Sequence, residues 1–465
     1  MLASARQFAR ERHTWSRLRR GLLAAVCISG GLIFLAGCVN SPSAESPAPD
    51  SPKVLHLDLS GGPPIATPTA VISPTAETVG EVVPPDPATI TLTMWTTEAF
   101  SPLQDDAGSQ VLKKQVADFS AQYPQAAVNF VLKKPYGEGG ISNFLQTTSA
   151  VVPQALPDLA IIDVEELPKL AALGLLRPLD SLVSSGLQTS LFPFARKSCT
   201  VSGQLMCVPF EADLIHLAYD TAALPTPPLT WDQVLSGTAT YAFPAGGEGN
   251  EQVNDAFWLQ YLAAGGSNPA SQPALNEDVL AQVFQFYKEG VNKQVIPQAV
   301  LDYRTEADSW SAYLSGKAAM ANASSLRYLN SRALLRNSSF AQVPTRDGRP
   351  SSVARGWAVA IMTADKARQE ASARFLEWLL RPEYNGPWTQ ATHRVPTTRP
   401  SLDTWDKADR YTSFISGLLE VAEPYPSGSV ASLAAKQVQR SIREVVQGST
   451  APRQAAAGVV NTLEK

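Results

Sequence analysis

Residues 89–132 combine two periodicities that restrict the fold more than any other part of the chain. The segment TITLTMW at 89–95 alternates polar and apolar side chains and is rich in β-branched residues, which predicts a strand. Apolar residues then recur at helical spacing from Leu112 to Tyr123, and Pro124 ends the pattern. Residues 128–132 alternate again as a second strand. A strand, a helix and a strand in this order predict a parallel α/β sheet with a right-handed crossover.

The same alternation continues along the remaining chain. Residues 156–163 contain a continuous apolar run, typical of a strand buried on both faces. Further helices are predicted at 141–150, 164–173, 252–264, 276–290, 307–316, 323–335, 366–380 and 429–447, and further strands at 201–208, 214–219 and 356–362. About 375 residues from Ala88 onward are too many for one ordinary core, so we predict two α/β lobes that exchange segments.

The N-terminus has the features of a secretion signal. Six arginines precede an apolar run at 21–36 that is too short to span a membrane comfortably. The run ends in Leu35-Ala36-Gly37-Cys38, which resembles a bacterial lipoprotein box, so residues 1–37 would be removed and Cys38 would carry lipid. The alternative is an uncleaved membrane anchor. Both interpretations place the remaining chain outside the cytoplasm, with the lipid holding it to the outer face of the cell membrane.

Residues 38–87 are rich in Ser, Pro, Thr, Ala and Gly and are predicted to be a disordered tether, because such a segment buries too little apolar surface to fold. Loss of residues 1–37 changes the formal net charge from −4 to −9, since six arginines and one glutamate leave with them. An acidic chain argues against a nucleic-acid partner, which requires a basic surface.

Two cysteines remain in the predicted folded part. Thr200-Val201 and Leu205-Met206 flank Ser202-Gly203-Gln204, which predicts a hairpin with a three-residue loop. That loop would place Cys199 opposite Cys207, within reach of a disulfide in an oxidising compartment. The alternative is a pair of free thiols or a metal pair, although no nearby His or further Cys completes a ligand set.

Eight segments, in order along 88–450, resemble the extracellular solute-binding proteins of ABC importers, in particular the maltose-binding-protein-like family 1. The quoted segments are the strand ending in Trp95 and the stretches at 156–180, 206–220, 229–235, 257–266, 313–325, 356–362 and 371–388. The resemblance implies a type II periplasmic-binding-protein-like fold, in which crossover hinge segments join two lobes, each a mostly parallel sheet flanked by helices. We expect an N-terminal lobe of 88–210 with about 356–400, a C-terminal lobe of 211–355 with about 401–450, and a tail at 451–465.

A ligand in such a fold lies beyond the carboxyl ends of the strands. Sugar recognition requires aromatic faces for the ring and planar polar groups for its hydroxyls. The predicted ligand-binding residues are Trp95, Thr96, Glu98, Asp163, Glu211, Asp213, Trp258, Asn322, Arg355, Gly356 and Trp357, with Trp310, Trp388 and Tyr425 as further aromatic candidates. The resemblance implies sugar binding for Asp213, and it places 322–325 where the maltose-binding protein presents a stacking Trp. No Trp occurs there, which favours a different or smaller solute than long maltodextrins.

Several of these residues have structural alternatives. Trp258 lies at helical spacing beside Leu262, where an aromatic is more often a core residue. Arg355 is equally consistent with a paired surface charge, and Glu98 and Asp213 with helix caps or salt bridges. Gly356 would let a backbone approach closely next to Trp357.

The sequence lacks the motifs of common enzymes, including G-x-S-x-G, H-E-x-x-H, C-x-x-C and a phosphate-binding Gly-Lys-Ser/Thr loop. We therefore expect no catalysis, no cofactor and no metal, and a monomer that captures a small polar solute and delivers it to a membrane permease. Two alternatives remain. One is an extracellular glycoside hydrolase, because the separation of its paired carboxylates is set by the fold and cannot be recognised from the sequence. The other is a surface sensor or adhesin that binds carbohydrate without an importer.

Overall fold

The computed structural model describes residues 89–247, 253–269 and 275–463. The predicted leader, the lipidation at Cys38 and the tether therefore lie outside the described residues. Across the described ranges, no helix is long and apolar enough to cross a membrane.

Strands and helices alternate along the described chain. Up to residue 247 the elements are β1 Ile90–Thr96, α1 Ala107–Gln122, β2 Ala126–Leu132, α2 Ile141–Val151, β3 Leu159–Asp163, α3 Leu167–Ala172, α4 Ser185–Ser190, α5 Pro193–Ser198, β4 Thr200–Val201, β5 Gln204–Leu205, β6 Val208–Asp220, α6 Trp231–Ser236 and β7 Tyr241–Ala242. After it they are α7 Asp255–Ala263, α8 Glu277–Asn292, α9 Glu306–Leu314, β8 Met320–Ser324, α10 Ser325–Ser331, β9 Ser338–Ala341, β10 Ser352–Ile361, α11 Lys366–Leu379, α12 Pro382–Ala391, α13 Arg399–Leu402, α14 Arg410–Val421, β11 Ala422–Pro424, α15 Ser429–Val446 and α16 Pro452–Leu463.

The main sheet has the strand order β2-β1-β3-β10-β6-β8-β7, with β11 paired to β10 and β9 paired to β6. The predicted β-α-β unit is confirmed, because β1 pairs in parallel with both β2 and β3. The pairing is otherwise mixed and not mostly parallel. The long strands β6 and β10 run antiparallel to each other, and each is also antiparallel to its outer neighbour, β8 or β3.

Buried apolar side chains form two clusters, and β6 and β10 contribute to both. Val208 and Phe210 of β6 belong to a first cluster built around β1, β3 and α11, whereas Leu217 belongs to a second cluster built around α7, α8 and α15. Likewise Val359 of β10 packs in the first cluster and Val353 in the second. Two continuous strands thus connect two cores, while the residue limits of each lobe stay a prediction.

The hairpin before β6 differs from its prediction in loop length. Ser202 and Gly203 both adopt a left-handed φ, of 51° and 82°, so two residues and not three make the turn. Thr200 consequently pairs with Leu205, and the N–H of Met206 donates to the carbonyl of Cys199. Cys199 and Cys207 are therefore offset by one position and not directly opposite. Their Cα atoms are still only 5.1 Å apart, within the range of a disulfide.

Two further segments differ from the sequence analysis. The helix predicted at 323–335 begins at Ser325, because Met320–Ser324 form β8. Residues 451–465, which we expected to be a tail, contain α16, whose Ala455, Ala456 and Val459 are buried in the second cluster. Neither β8 nor α16 was recognised in the sequence, because small residues and a short apolar repeat are weak indicators of secondary structure.

The close approach of β6 and β10 requires glycine at position 356. A Cβ at Gly356 would lie 2.2 Å from the carbonyl oxygen of Glu211 on β6, and the strand register shifts immediately afterwards between Trp357 and Ala358. The backbone that approaches Gly356 is thus a neighbouring strand. The predicted close approach of a backbone at Gly356 is thus made by β6, and contact of Gly356 with the ligand stays a prediction.

Gly356→Ala is expected to lower the free energy of unfolding by about 2 kcal/mol or more, because the added methyl group must push two paired strands apart. Urea denaturation measures the change. Gly417→Ala is the matched control: Gly417 is exposed on α14 with open space around its Cβ position, so alanine there should be neutral or stabilising by up to about 1 kcal/mol. Equal stabilities of Gly356→Ala and the unsubstituted protein would contradict this account of the strand crossing.

Candidate functional site

Arg355 is the charged centre of the candidate site. It lies on β10, and its Nε is 2.9 Å from Oδ2 of Asp255, the first residue of α7. Its guanidinium also pairs with Glu165, which follows β3, and stacks 3.5 Å from the ring centre of Tyr425. One side chain therefore joins a strand of the sheet to groups that belong to three other segments.

An exposed aromatic residue lies beside this centre. Tyr136 belongs to the glycine-rich loop that follows β2 and keeps 61% of its surface exposed. Its hydroxyl donates to Oδ2 of Asp163 at 2.9 Å, and its ring centre is 5.5 Å from that of Trp357 on β10. The hydrogen bond and the ring contact hold an aromatic face next to carboxylates.

Arg355 also lines a cavity of about 250 Å³. Its polar lining residues include Asp213, Asn254, Asp255, Thr305, Glu306 and Asn322. Among its lining residues in the described chain there is no aromatic side chain. The volume and the lining suit a small hydroxylated molecule that makes many hydrogen bonds.

Three of these side chains are held by short contacts. Asp213 accepts from the hydroxyl of Ser325 at 2.8 Å and from the backbone N–H of Leu326 at 2.9 Å. Glu306 accepts from the backbone N–H of Ser324 and pairs with Arg327 at 2.9 Å. The hydroxyl of Tyr241 donates to Oδ1 of Asn322. Their positions are therefore fixed before any solute binds.

Glu211 occupies a separate buried site behind Trp357. Its Oε1 accepts from the backbone N–H of Trp357 at 2.9 Å, and its Oε2 is 3.0 Å from Nη1 of Arg394. Arg394 follows His393, which adopts a left-handed φ of 55° after α12. The turn at His393 thus places Arg394 beside Glu211. Glu211 supports Trp357 and does not line the cavity.

Burial shifts the acidic groups in one direction. It raises the pKa of Asp163, Glu211, Asp213 and Glu306 above their ordinary values. It also raises the pKa of Glu165 from 4.5 to about 7, although the charge of Arg355 opposes this change. The excess of carboxylates is therefore held at a cost in desolvation.

The structure brings five of the predicted site residues together. Asp213, Asn322 and Arg355 line the cavity, while Asp163 and Trp357 contact Tyr136. Their contact with a solute stays a prediction.

Four predicted residues lie elsewhere. Trp258 has no exposed surface and packs against Phe257 and Tyr261 inside α7, so it is a core residue and offers no face to a solute. Thr96 is equally buried, and its hydroxyl donates to the carbonyl of Phe100. Both assignments to the site are corrected.

Trp95 and Glu98 lie near the end of β1 but do not line the cavity. Trp95 is nearly buried between Phe144 and Lys133, whose Nζ lies 4.5 Å from the Trp95 ring centre. Glu98 is exposed in the short turn Glu98–Phe100. Of the other aromatic candidates, Tyr425 joins the site through Arg355, and the rest are core residues, namely Trp310 and Trp388.

Tyr136, Asp255 and Glu306 also lie at the site and were not predicted from the sequence. Tyr136 follows the carboxyl end of β2, so the rule that pointed to β1 and β3 would have found it. Asp255 and Glu306 start helices, a position typical of capping carboxylates, and no sequence pattern separates the two roles. Within the described ranges, no three His, Cys, Asp or Glu side chains are grouped so that they could hold a metal ion.

Comparison with known proteins gives a consistent result. A family model described as bacterial extracellular solute-binding protein matches residues 114–412, more than half of the chain. The maltotriose-binding protein of Pyrococcus abyssi is 26% identical over 219 residues, which are 45% of this chain and 45% of that protein. The chain thus matches less than half the length of this relative.

Two solved structures are similar in fold. The cyclic alpha-maltosyl-1,6-maltose binding protein from Arthrobacter globiformis has a TM-score of 0.66 at 19% identity, over 81% of this chain and 98% of that one. The sugar-binding protein MalE from Xanthomonas citri has a TM-score of 0.66 at 19% identity, over 81% and 96% of the two chains. The predicted two-lobed α/β fold of periplasmic-binding-protein type is confirmed.

The raised pKa of Glu165 predicts a pH-dependent stability. Between pH 4.5 and about 7 the folded protein holds a proton that the unfolded chain releases, so this contribution is complete below 4.5 and lost as the pH rises through 7. Glu165→Gln should flatten the fall in unfolding free energy across this range by up to on the order of 3 kcal/mol. Urea titrations from pH 4.5 to 8 measure it. Glu370→Gln, at an exposed position on α11, is the control and should leave the pH profile unchanged; an unaltered profile in Glu165→Gln would refute the assignment.

Proposed function

Because the chain belongs to the bacterial extracellular solute-binding proteins, we propose that it captures a sugar or short oligosaccharide outside the cytoplasm and delivers it to the permease of an ABC importer. The observation that carries the proposal is the polar cavity around Arg355, flanked by the exposed face of Tyr136. The relatives compared above are named for binding maltotriose, a cyclic maltosyl sugar and sugar in general, which supports a carbohydrate for this chain.

The chemistry of the site supports carbohydrate binding. Carboxylates and a buried amide provide hydrogen-bond partners for hydroxyl groups, while an aromatic ring covers the apolar face of a pyranose. Tyr136 and Trp357 provide that ring face, and the groups at Asp213, Asn322 and Arg355 provide the polar contacts. The aromatic-free cavity supports a solute of one or two rings over a long oligosaccharide.

A binding role is supported over a catalytic one. Asp255 is bound by Arg355 and Glu306 by Arg327, so these two carboxylates serve as fixed ion-pair partners. A general acid or base must instead exchange its proton with a substrate. The relatives named above are binding proteins, which agrees with a chain that performs no chemistry on its solute.

We propose that the solute acts by closing the two lobes. Ligand that contacts both half-sites favours the closed population, and the closed surface is what a permease recognises. The strands β6 and β10 connect the two cores and would serve as the hinge, with the lobes divided as the sequence predicts. A monomer anchored through lipidated Cys38 and a flexible tether would remain free to turn towards the permease.

We further propose that Cys199 and Cys207 form a disulfide in the oxidising space outside the cytoplasm. The Cys199→Ser, Cys207→Ser double variant should then lose about 2–3 kcal/mol of unfolding free energy, since the bond closes a loop of only a few residues. Urea denaturation with and without a reductant measures it. Reductant should destabilise the unsubstituted protein and leave the double variant unchanged; an unsubstituted protein insensitive to reductant would indicate free thiols.

A thermal-shift screen over a carbohydrate library tests the proposed function, because a ligand at 100 times its dissociation constant adds about 2.7 kcal/mol of stability.

Tyr136→Ala should then weaken binding of the best sugar by at least ten-fold, measured by calorimetry, because the ring loses its stacking partner. Tyr384→Ala is the matched control, since Tyr384 lies on α12 and contacts Asp118 and Trp378, outside the cavity. If no carbohydrate in the library raises the melting temperature, the proposed carbohydrate-binding function is wrong.

A further inference from the structure

The cavity beside Arg355 is lined by more negative than positive groups. Asp213, Asp255 and Glu306 are its acidic lining residues, and Arg355 is the single cationic one among the described residues that line it. Burying a carboxylate costs several kcal/mol unless a partner compensates its charge. The salt bridges of the three carboxylates therefore show which of them lacks a cationic partner.

Two of the three carboxylates have a cation within salt-bridge distance. Asp255 is bound by Arg355 through two nitrogen atoms, and Glu306 lies 2.9 Å from Arg327. Asp213 differs from both. Its partners are a serine hydroxyl and a backbone N–H, and none of the salt bridges of the described chain includes it.

The charges that face Asp213 from neighbouring elements do not neutralise it. Glu306 on α9 and Glu211 on β6 are negative and interact unfavourably with it. Arg394 is the cation that acts on Asp213, and this arginine is already paired with Glu211. Asp213 is thus the carboxylate of the cavity wall that has no cationic partner of its own.

A second, independent observation concerns the side-chain amide of Asn322 in the same cavity. Asn322 lines it and is 2% exposed, and its amide nitrogen has no hydrogen-bond partner within the protein. Its oxygen is already used by the Tyr241 hydroxyl. A buried amide N–H₂ without an acceptor is costly, so an acceptor on the solute would complete it.

We propose that the solute of this cavity is a cationic sugar, an amino sugar whose ammonium group binds Asp213 and whose hydroxyl or ring oxygen accepts from Asn322. The inference rests on the proposed function and adds the charge of the solute to it. A hydroxyl group could satisfy the lone pairs of Asp213 but would leave its charge uncompensated, whereas an ammonium group does both. A divalent cation would need several carboxylates around one point, and the described residues offer no such group.

Calorimetry at neutral pH with matched pairs of sugars tests the inference. The probes are glucosamine, galactosamine and the chitosan disaccharide, each against its N-acetylated form and its parent neutral sugar. The expected result is that at least one amino sugar binds ten-fold or more tightly than both neutral counterparts, and that added salt weakens it more than them. N-acetylation keeps the nitrogen but removes the charge, so the comparison isolates the ion pair.

Asp213→Asn provides the second arm. It should remove the ten-fold preference, lowering the affinity for the amino sugar about ten-fold more than the affinity for its neutral counterparts, because the amide retains the shape of the carboxylate without its charge. Asp105→Asn, whose side chain is almost fully exposed, is the matched control. Near-ultraviolet circular dichroism shows whether each variant is folded.

The outcomes separate the two proposals. Neutral sugars that bind as tightly as, or more tightly than, every amino sugar would overturn the cationic solute and leave carbohydrate binding intact. Absence of binding by any sugar, charged or neutral, would overturn the proposed function itself. Should Asp213→Asn prove unfolded, the comparison of the charged and neutral sugars on the unsubstituted protein still decides the question.

Discussion

The arrangement of the site depends on the ion pairs of Arg355. A single guanidinium on β10 binds Asp255 of α7 and Glu165 behind β3, and it stacks on Tyr425. Each carboxylate would be expensive to bury alone, and each would repel the others. The arginine lowers both costs, so the loops that carry these groups can pack close to the sheet. Substitution of Arg355 would therefore release several segments together and not a single contact.

The remaining acidic groups show how the protein distributes its charge. Glu211 is compensated by Arg394, and Glu306 by Arg327, in each case by a cation supplied from a different element. Asp213 is held only by neutral donors, although burial raises its pKa. Among the acidic residues that line the cavity, Asp213 is thus the one without a cationic partner of its own. Such a difference is expected where the missing partner is a solute and not a residue of the chain.

The sequence predicted regular secondary-structure elements well, but it did not predict which side chains meet across the fold. Regular periodicity identified β1, α1, β2, β3 and α11 to within a few residues, because burial of an alternating face or a helical stripe leaves a local signal. Short strands such as β7 and β8 left no such local signal in the sequence. Side chains that meet across the fold, such as Tyr136 with Asp163 or Arg355 with Asp255, are brought together by the sheet order, which no local pattern records. The prediction that Trp258 binds the ligand was wrong because a large aromatic side chain is equally suited to a core and to a binding face.

The position of the charged centre relative to the crossing strands connects binding to lobe motion. β6 and β10 each contribute buried residues to both apolar clusters, so a relative movement of the two clusters would bend these strands. Their pairing is interrupted at the register shift after Trp357, and Gly356 brings the two backbones closest at the same point. Arg355 is the adjoining residue. Bending at this point would displace its guanidinium relative to Glu165 and Asp255, and a solute that rests against Arg355 and Asp213 would in turn favour one degree of bending. Recognition and closure would then depend on the same few residues.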